Sequence, residues 1–506
     1  MTETGSPAAT NEQAQGAPSP ARAWRHWLGL ALGPLLGAMA YLLLPASLSA
    51  DGKAAAAIAV LMATWWVTEA LPLPVTALLP IVLFPALGVA EIDNVVPPYA
   101  NDIIFLFMGG FILGLAMQRW NLHKRFALRI VLAVGTSPVR LIGGFMIATA
   151  FLSMWVSNTA TTVMMFPVAL SVLTLVTQLG NGRGDPNFAT ALMLSVAYAA
   201  SIGSLSTIIG TPPNAFLVGY LSETHGIDIG FGQWMLFGLP ISIVFLIIAW
   251  FVLSKLVFPP KIKELPGGRE LIREQLHELG PMSRGEKNAL GTFIGAAFAW
   301  IVFPLLSDPD VMGGAAITWL GNVGDSVIAM AVVVVLFILP VEPGVRTMDW
   351  ETTKQLPWGI LLLFGGGLAL SNQFSETGFS KWLGEQVAGL DMLPTVLFVA
   401  VAVLLVLLLT ELTSNTATTA AFVPILGAVA VGVGLDPMLM VVPAALAATA
   451  AFMLPVATPP NAIVFGSGYI TIGQMIKGGV WLNVIGLVII MLAAYTVGGW
   501  VLGLQI

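Results

Sequence analysis

The chain has 506 residues, with Lys plus Arg 20 against Asp plus Glu 26, a formal net charge of −6. Charged residues are only 9% and hydrophobic residues 57% of the total, with mean hydropathy +0.90, whereas an ordinary soluble domain carries roughly 25% charge. This excludes a soluble or disordered protein and defines a polytopic membrane protein; the acidic balance argues against nucleic acid, and the lack of cysteine excludes disulfides, Cys-ligated zinc and thiol catalysis.

Residues 1–22 are polar and rich in Ala, Pro and Gly, without the order of a signal peptide, and read as a disordered cytoplasmic tail. A membrane helix needs about 20 mostly apolar residues. On that template spans fall near 27–46, 55–70, 75–90, 103–118, 190–220, 233–257, 288–306, 326–341, 357–372, 437–469 and 479–504, eleven in all. Two further apolar stretches, 139–178 and 392–432, are too long for one span, and a polar word interrupts each near its middle. They read as re-entrant hairpins. The fold class is therefore all-α, with eleven transmembrane helices and two hairpins. Placing the tail inside leaves only Lys53 and Lys381 outside, 18 basic residues against 2, as the positive-inside bias requires. The C-terminus then lies outside the inner (plasma) membrane. Between the halves, 258–287 is a cytoplasmic loop; its Arg269–Leu279 stretch has helical periodicity, read either as a helix on the inner membrane surface or as a solvated linker.

The halves repeat. Ser157-Asn158-Thr159-Ala160-Thr161-Thr162 recurs unchanged as Ser414-Asn415-Thr416-Ala417-Thr418-Thr419, an offset of 257 that also aligns Gly109-Gly110 with Gly366-Gly367. Thr211-Pro212-Pro213-Asn214-Ala215 recurs as Thr458-Pro459-Pro460-Asn461-Ala462 at an offset of 247. Repeat 1 is 23–257, with an inner hairpin at 139–178 and a broken helix at 190–220. Repeat 2 is 288–506, with an outer hairpin at 392–432 and a broken helix at 437–469. Five spans separate the hairpins, and an odd number inverts the second copy. Inverted repeats with interrupted helices are the signature of secondary transporters.

Irregular backbone at membrane depth is tolerated where it lines a protein-enclosed cavity. Ser-Asn-Thr supplies residue types that cap a helix start, and in Thr-Pro-Pro the prolines suit a first turn. Four helix N-termini thus point at one cavity, each with free N–H groups and about half a positive charge. No Lys, Arg or His lies within the four words, so a carboxylate guest needs a cation from elsewhere. Ser153, Ser157, Asn158, Thr410 and Asn415, with unpaired carbonyls, form a neutral all-oxygen donor set suited to Na⁺. The pseudo-symmetry gives one cation site per repeat.

The paired words, together with Thr68-Glu69-Ala70-Leu71-Pro72, Pro357-Trp358-Gly359 and Leu279-Gly280-Pro281-Met282-Ser283 before Glu286-Lys287, resemble the divalent anion/sodium symporter (DASS) family over residues 25–505. The resemblance implies a homodimer in the lipid bilayer, each protomer with a scaffold domain and a transport domain that moves as an elevator, carrying succinate, malate, fumarate and related anions, in some members citrate or sulfate. It implies a first sodium site at Ser153, Ser157, Asn158 and Gly210, and a second at Thr410, Thr413, Asn415 and Ala457. Substrate would meet Ser157, Asn158, Thr159, Ser414, Asn415 and Thr416 from the tips, with Thr211, Pro212, Thr458 and Pro459 completing the cavity.

Two acidic residues fall within or near the membrane, where such groups are functional candidates. Glu69 is read as structural, at a helix end; Glu411, three residues before Ser414, is a candidate to carry a proton or tune the second cation site. Trp65 and Trp66 read as interfacial anchors or dimer packing. The competing functions are a sodium-independent exchanger of the same fold, which calls for fixed positive charge near the tips, and an intramembrane enzyme. The histidines His26, His123, His225 and His277 all lie at span ends or in loops, so the chain is expected not to be an enzyme.

Overall fold

The computed structural model describes residues 20–135, 137–179, 184–262, 267–387 and 394–505; the expected tail lies outside them except for its last residues, which begin the first helix. Helices dominate, and a two-stranded ribbon, Pro340–Glu342 with Val345–Arg346, turns at Gly344. Among the described residues seven helices are long and apolar enough to cross a membrane. The first helix, Pro20–Leu43, packs on Ala50–Thr68. Gly29, Gly33 and Gly37 sit one turn apart and face Thr68, Trp65 and Ala57, the small-residue stripe that lets membrane helices approach closely. Trp65 belongs to this packing, against Gly33, while Trp66 is 1% exposed and donates to Leu73 O at 3.3 Å. Glu69 ends the helix in the left-handed region (φ 50°) and donates its N–H to Trp65 O, with its side chain exposed.

The segment expected as a span at 75–90 is instead two short helices, Leu73–Thr76 and Leu79–Ala86. Even taken together as one helical stretch, Leu73–Ala86, their 14 residues rise only about 21 Å, short of a bilayer core of about 30 Å. Hydropathy counts apolar side chains and misses what Pro72, Pro74, Pro80 and Pro85 do: proline removes a donor and clashes with the preceding turn.

The long apolar stretches divide at their polar words. Pro138–Ser153 and Asn158–Leu179 are joined through Met154–Ser157; Thr395–Thr410 and Asn415–Gly432 are joined through Glu411–Ser414. Both first arms have 16 residues. The helix Pro186–Ser204 stops and restarts as Pro212–His225, and Pro437–Thr449 restarts as Pro459–Phe465. The two helices before the breaks are the innermost elements, with every residue of 188–204 and 438–449 buried. Their unwound ends therefore sit in protein rather than lipid, which is where non-helical backbone is tolerated. Gly110 allows helix Asp102–Arg119 to press on the first break: a Cβ there would stand 2.8 Å from Ile209 Cδ1. The two repeats also close alike, Phe231–Phe251 and Ile472–Ala493 each running into a π-helical turn, Val252–Val257 and Ala494–Gly498. On the loop between the repeats, Gly268–Glu278 is a helix that packs on Leu122–Val134.

Candidate functional site

Each helix start is held in a way its residues explain. At the first tip, Ser157 is the cap: its Oγ accepts the N–H of Ala160 at 3.3 Å and its carbonyl accepts that of Thr161 at 2.9 Å. At the second tip Ser414 O accepts Thr418 N–H at 2.9 Å, but the Ser414 hydroxyl makes no cap bond. The breaks reverse this pattern. Thr458 Oγ1 accepts Asn461 N–H at 3.3 Å, whereas Thr211 makes no side-chain cap. Two of the four starts, one per repeat, thus lack a side-chain cap. At Thr211 the first two helical residues are prolines without N–H groups, and Asn214 N–H goes to Thr211 O at 3.2 Å. The start after Ser414 is therefore the one that keeps first-turn N–H groups able to receive an anion.

Five of the eight residues expected to hold cations are buried: Ser153 and Thr410 are 0%, Thr413 8% and Ala457 3% exposed, and Gly210 is buried, whereas Ser157, Asn158 and Asn415 are half-buried. Those expected to meet substrate at the tips are half-buried, and Thr159 is exposed. Ser153 Oγ donates to Ala200 O at 2.6 Å. Its counterpart Thr410 places Oγ1 2.7 Å from Ala448 O and 2.8 Å from Asn415 Oδ1. Asn158 Nδ2 lies 3.4 Å from Ser204 Oγ. Each tip is thereby joined to the helix that unwinds beside it. Thr413 instead bonds within its own hairpin, to Leu409 O at 2.9 Å and Thr418 Oγ1 at 2.6 Å. A Cβ on Gly210 would run into Ser204 O, so the close backbone approach there requires glycine, while the second break accommodates Ala457.

The repeated words also contain two residues that the sequence left without a role. The amide of Asn214 donates across the first break, to Ser204 O at 3.2 Å and Thr207 O at 2.9 Å. Asn461 repeats this with Ala451 O at 3.1 Å and Leu454 O at 3.0 Å. Both side chains are fully buried, and both staple carbonyls across the unwound backbone. Their duplication was the available signal. Thr207 Oγ1 also donates to Met154 O at 2.5 Å, tying the first break to its tip.

Beside the first tip lies a cavity of about 160 Å³, lined by Val156, Ser157 and Ala160, by Gly114 and Gln118, and by Gln355. Its polar rim residues adjoin Arg119 and Lys354 in the chain, both on the side that the charge bias places inside. Among the described residues no hydrogen bond joins a Lys, Arg or His to the four repeated words. His123 lies 2.9 Å from Met117 O and His225 2.9 Å from Tyr220 Oη, away from the tips. The arrangement can therefore hold an anion through helix starts and neutral groups, with carbonyl and hydroxyl oxygens available to a cation.

Residues 23–504 match the model of the sodium:sulfate symporter transmembrane region. The chain is 46% identical over 487 residues to the sodium-dependent dicarboxylate transporter SdcS of Staphylococcus saprophyticus, covering 95% of this chain and 92% of that one. It is 46% identical over 488 residues to SdcS of Staphylococcus aureus, with the same coverage. Among solved structures, MtrF of Neisseria gonorrhoeae superposes with a TM-score of 0.58 at 14% identity, covering 94% of this chain and 95% of that chain. The YdaH transporter of Alcanivorax borkumensis gives 0.58 at 16%, covering 95% and 98%. At those identities the likeness is one of fold alone.

Proposed function

We infer the function from one premise: this chain belongs to the sodium:sulfate symporter family. It is a multi-pass membrane transporter that couples Na⁺ to the uptake of C4-dicarboxylates such as succinate, malate and fumarate. The observation that carries this reading is the mirrored pair of breaks: each repeat interrupts its helices at a hairpin tip and beside it, and the four repeated words contain no basic side chain, so a dianion held by them depends on co-bound sodium. The first sodium would use Ser153, Ser157, Asn158 and Gly210, the second Thr410, Thr413, Asn415 and Ala457. Substrate carboxylates would take the helix starts at Ser157–Thr159 and Ser414–Thr416, with Thr211-Pro212 and Thr458-Pro459 behind them.

In this reading the hairpins and broken helices form a transport domain that moves as an elevator against a scaffold, in a homodimer with the N-terminus cytoplasmic and the C-terminus outside. The cavity at the first tip, beside Gln118 and Gln355, supports a state that faces the cytoplasm.

The natural absence of cysteine gives a direct test. Ala160→Cys places a lone thiol in that cavity. A membrane-impermeant maleimide should modify it in inside-out vesicles, and sodium plus succinate should slow the reaction about 10-fold, a shift equivalent to about 1.4 kcal/mol; sodium plus acetate should not. Protection by succinate that is equal with and without sodium contradicts the coupling.

A further inference from the structure

Glu411 stands in the second repeat where Met154 stands in the first, and neither side chain belongs to the proposed sodium or substrate contacts. Glu411 is 2% exposed, and every polar contact it makes is with a donor. Its Oε1 accepts the backbone N–H groups of Phe452 at 2.8 Å and Met453 at 3.0 Å and the Asn483 amide at 2.6 Å. Its Oε2 accepts those of Met453 and Leu454, both at 3.1 Å. Three consecutive peptides of the unwound second break thus converge on one carboxyl group, which Asn483 fixes from helix Ile472–Ala493.

The first repeat meets the same need by other means. Leu205 and Ser206 still donate to Ile202 O and Gly203 O at 3.3 and 3.1 Å, so their N–H groups are already satisfied. The tie to the tip is the Thr207 hydroxyl on Met154 O. In the second repeat Thr207 is replaced by Leu454, which has no hydroxyl, and the tip residue itself carries the acceptor. The chain around the clamp leads to the proposed second cation site. Ala448 O lies on Thr410 Oγ1, Ala451 O and Leu454 O receive the Asn461 amide, and Ala457 N donates to Leu454 O at 3.3 Å.

We propose that Glu411 is a positioning residue for the second sodium site: its carboxyl clamps residues 452–454 and so sets the backbone that leads to Ala457, without itself touching the ion. This rests on the reading of Thr410, Thr413, Asn415 and Ala457 as a cation site. Partners that orient metal ligands from outside the ligand set typically change metal affinity by 10- to 100-fold when removed.

The test uses the full-length protein in proteoliposomes, with Glu411→Gln, with Glu411→Met (which imports the residue of the first repeat), and with Glu411→Asp. The sodium concentration giving half-maximal succinate uptake should rise by about 10-fold or more in the first two and less in the third. Succinate KM measured in saturating sodium should stay within about 2-fold. A purely structural role would lower the maximal rate and the folded yield and leave the sodium midpoint in place; that result overturns the proposal. Should the Glu411 variants fail to fold, Asn483→Leu removes a single donor from the clamp. It should shift the sodium midpoint in the same direction, and an unchanged midpoint overturns the proposal equally. A wild-type protein whose uptake ignores sodium refutes the proposed function itself, a separate outcome.

Discussion

Asn158→Ala and Asn415→Ala should each reduce sodium-driven succinate uptake by roughly 10- to 150-fold. The two asparagines open the helices after the tips, half-buried at the boundary between the buried hydroxyl layer and the exposed tip. A carboxamide offers an oxygen to a cation and two N–H donors to a carboxylate at once, so its loss removes contacts to both partners. A hydrogen bond to a charged group contributes about 1.5–3 kcal/mol, and each 1.4 kcal/mol is about tenfold, which sets that range. Asn415 further holds Thr410 through its Oδ1, so Asn415→Ala should raise the sodium midpoint more than Asn158→Ala does. Initial-rate uptake at varied sodium and varied succinate separates the two effects. Wild-type kinetics in either variant would refute the site.

Arg125→Ala should lower the stability of the folded protein by about 3–5 kcal/mol, the cost of leaving one member of a buried pair alone. Arg125, on helix Leu122–Val134, meets Glu286 in two bonds, Nε to Oε1 at 2.6 Å and Nη2 to Oε2 at 3.2 Å. The side chains are 5% and 4% exposed. The guanidinium also donates to Gly280 O and Leu279 O at 3.0 and 3.2 Å, while Glu286 Oε2 accepts Ser283 N–H at 2.7 Å in a capping box. One side chain thus fastens a helix of the first repeat to the start of the second. Removing both charges as Arg125→Leu with Glu286→Leu should recover much of the loss, since apolar replacement of a buried pair is often neutral. Arg125→Lys should not, because an ammonium lacks the planar fork. By contrast Arg119 and Asp349, 24% and 45% exposed, form a pair worth at most about 1 kcal/mol. Thermal unfolding in detergent at fixed sodium compares these variants with the wild type; an Arg125→Ala protein as stable as wild type would contradict the assignment.

The breaks were legible because a helix that stops inside a membrane needs unusual residues, and Ser-Asn-Thr and Thr-Pro-Pro-Asn stand out twice against an apolar background. Arg125 was not. By sequence it is one of four basic residues in 119–129, which the charge bias assigns to a wet inner loop, and only folding brings Glu286, 161 residues away, against it. The Leu279-Gly280-Pro281-Met282-Ser283 word, legible as a family mark, proves to be the backbone that wraps this guanidinium. The clamp at Glu411 was hidden for the same reason: its partners are backbone N–H groups 41 to 43 residues on and an amide 72 residues on, and backbone groups leave no trace in a pattern of side chains. The paired prolines of 72–85 were plain to see, and were outweighed by the apolar residues between them.

The decisive measurement is the initial rate of labelled succinate entry into liposomes containing only this purified protein, under an inward gradient of sodium and again with choline in its place. Entry driven by the sodium gradient and nearly absent in choline is the predicted result. Equal entry in both would mean that the pocket holds its doubly negative guest without alkali metal, which contradicts sodium as the source of its attraction.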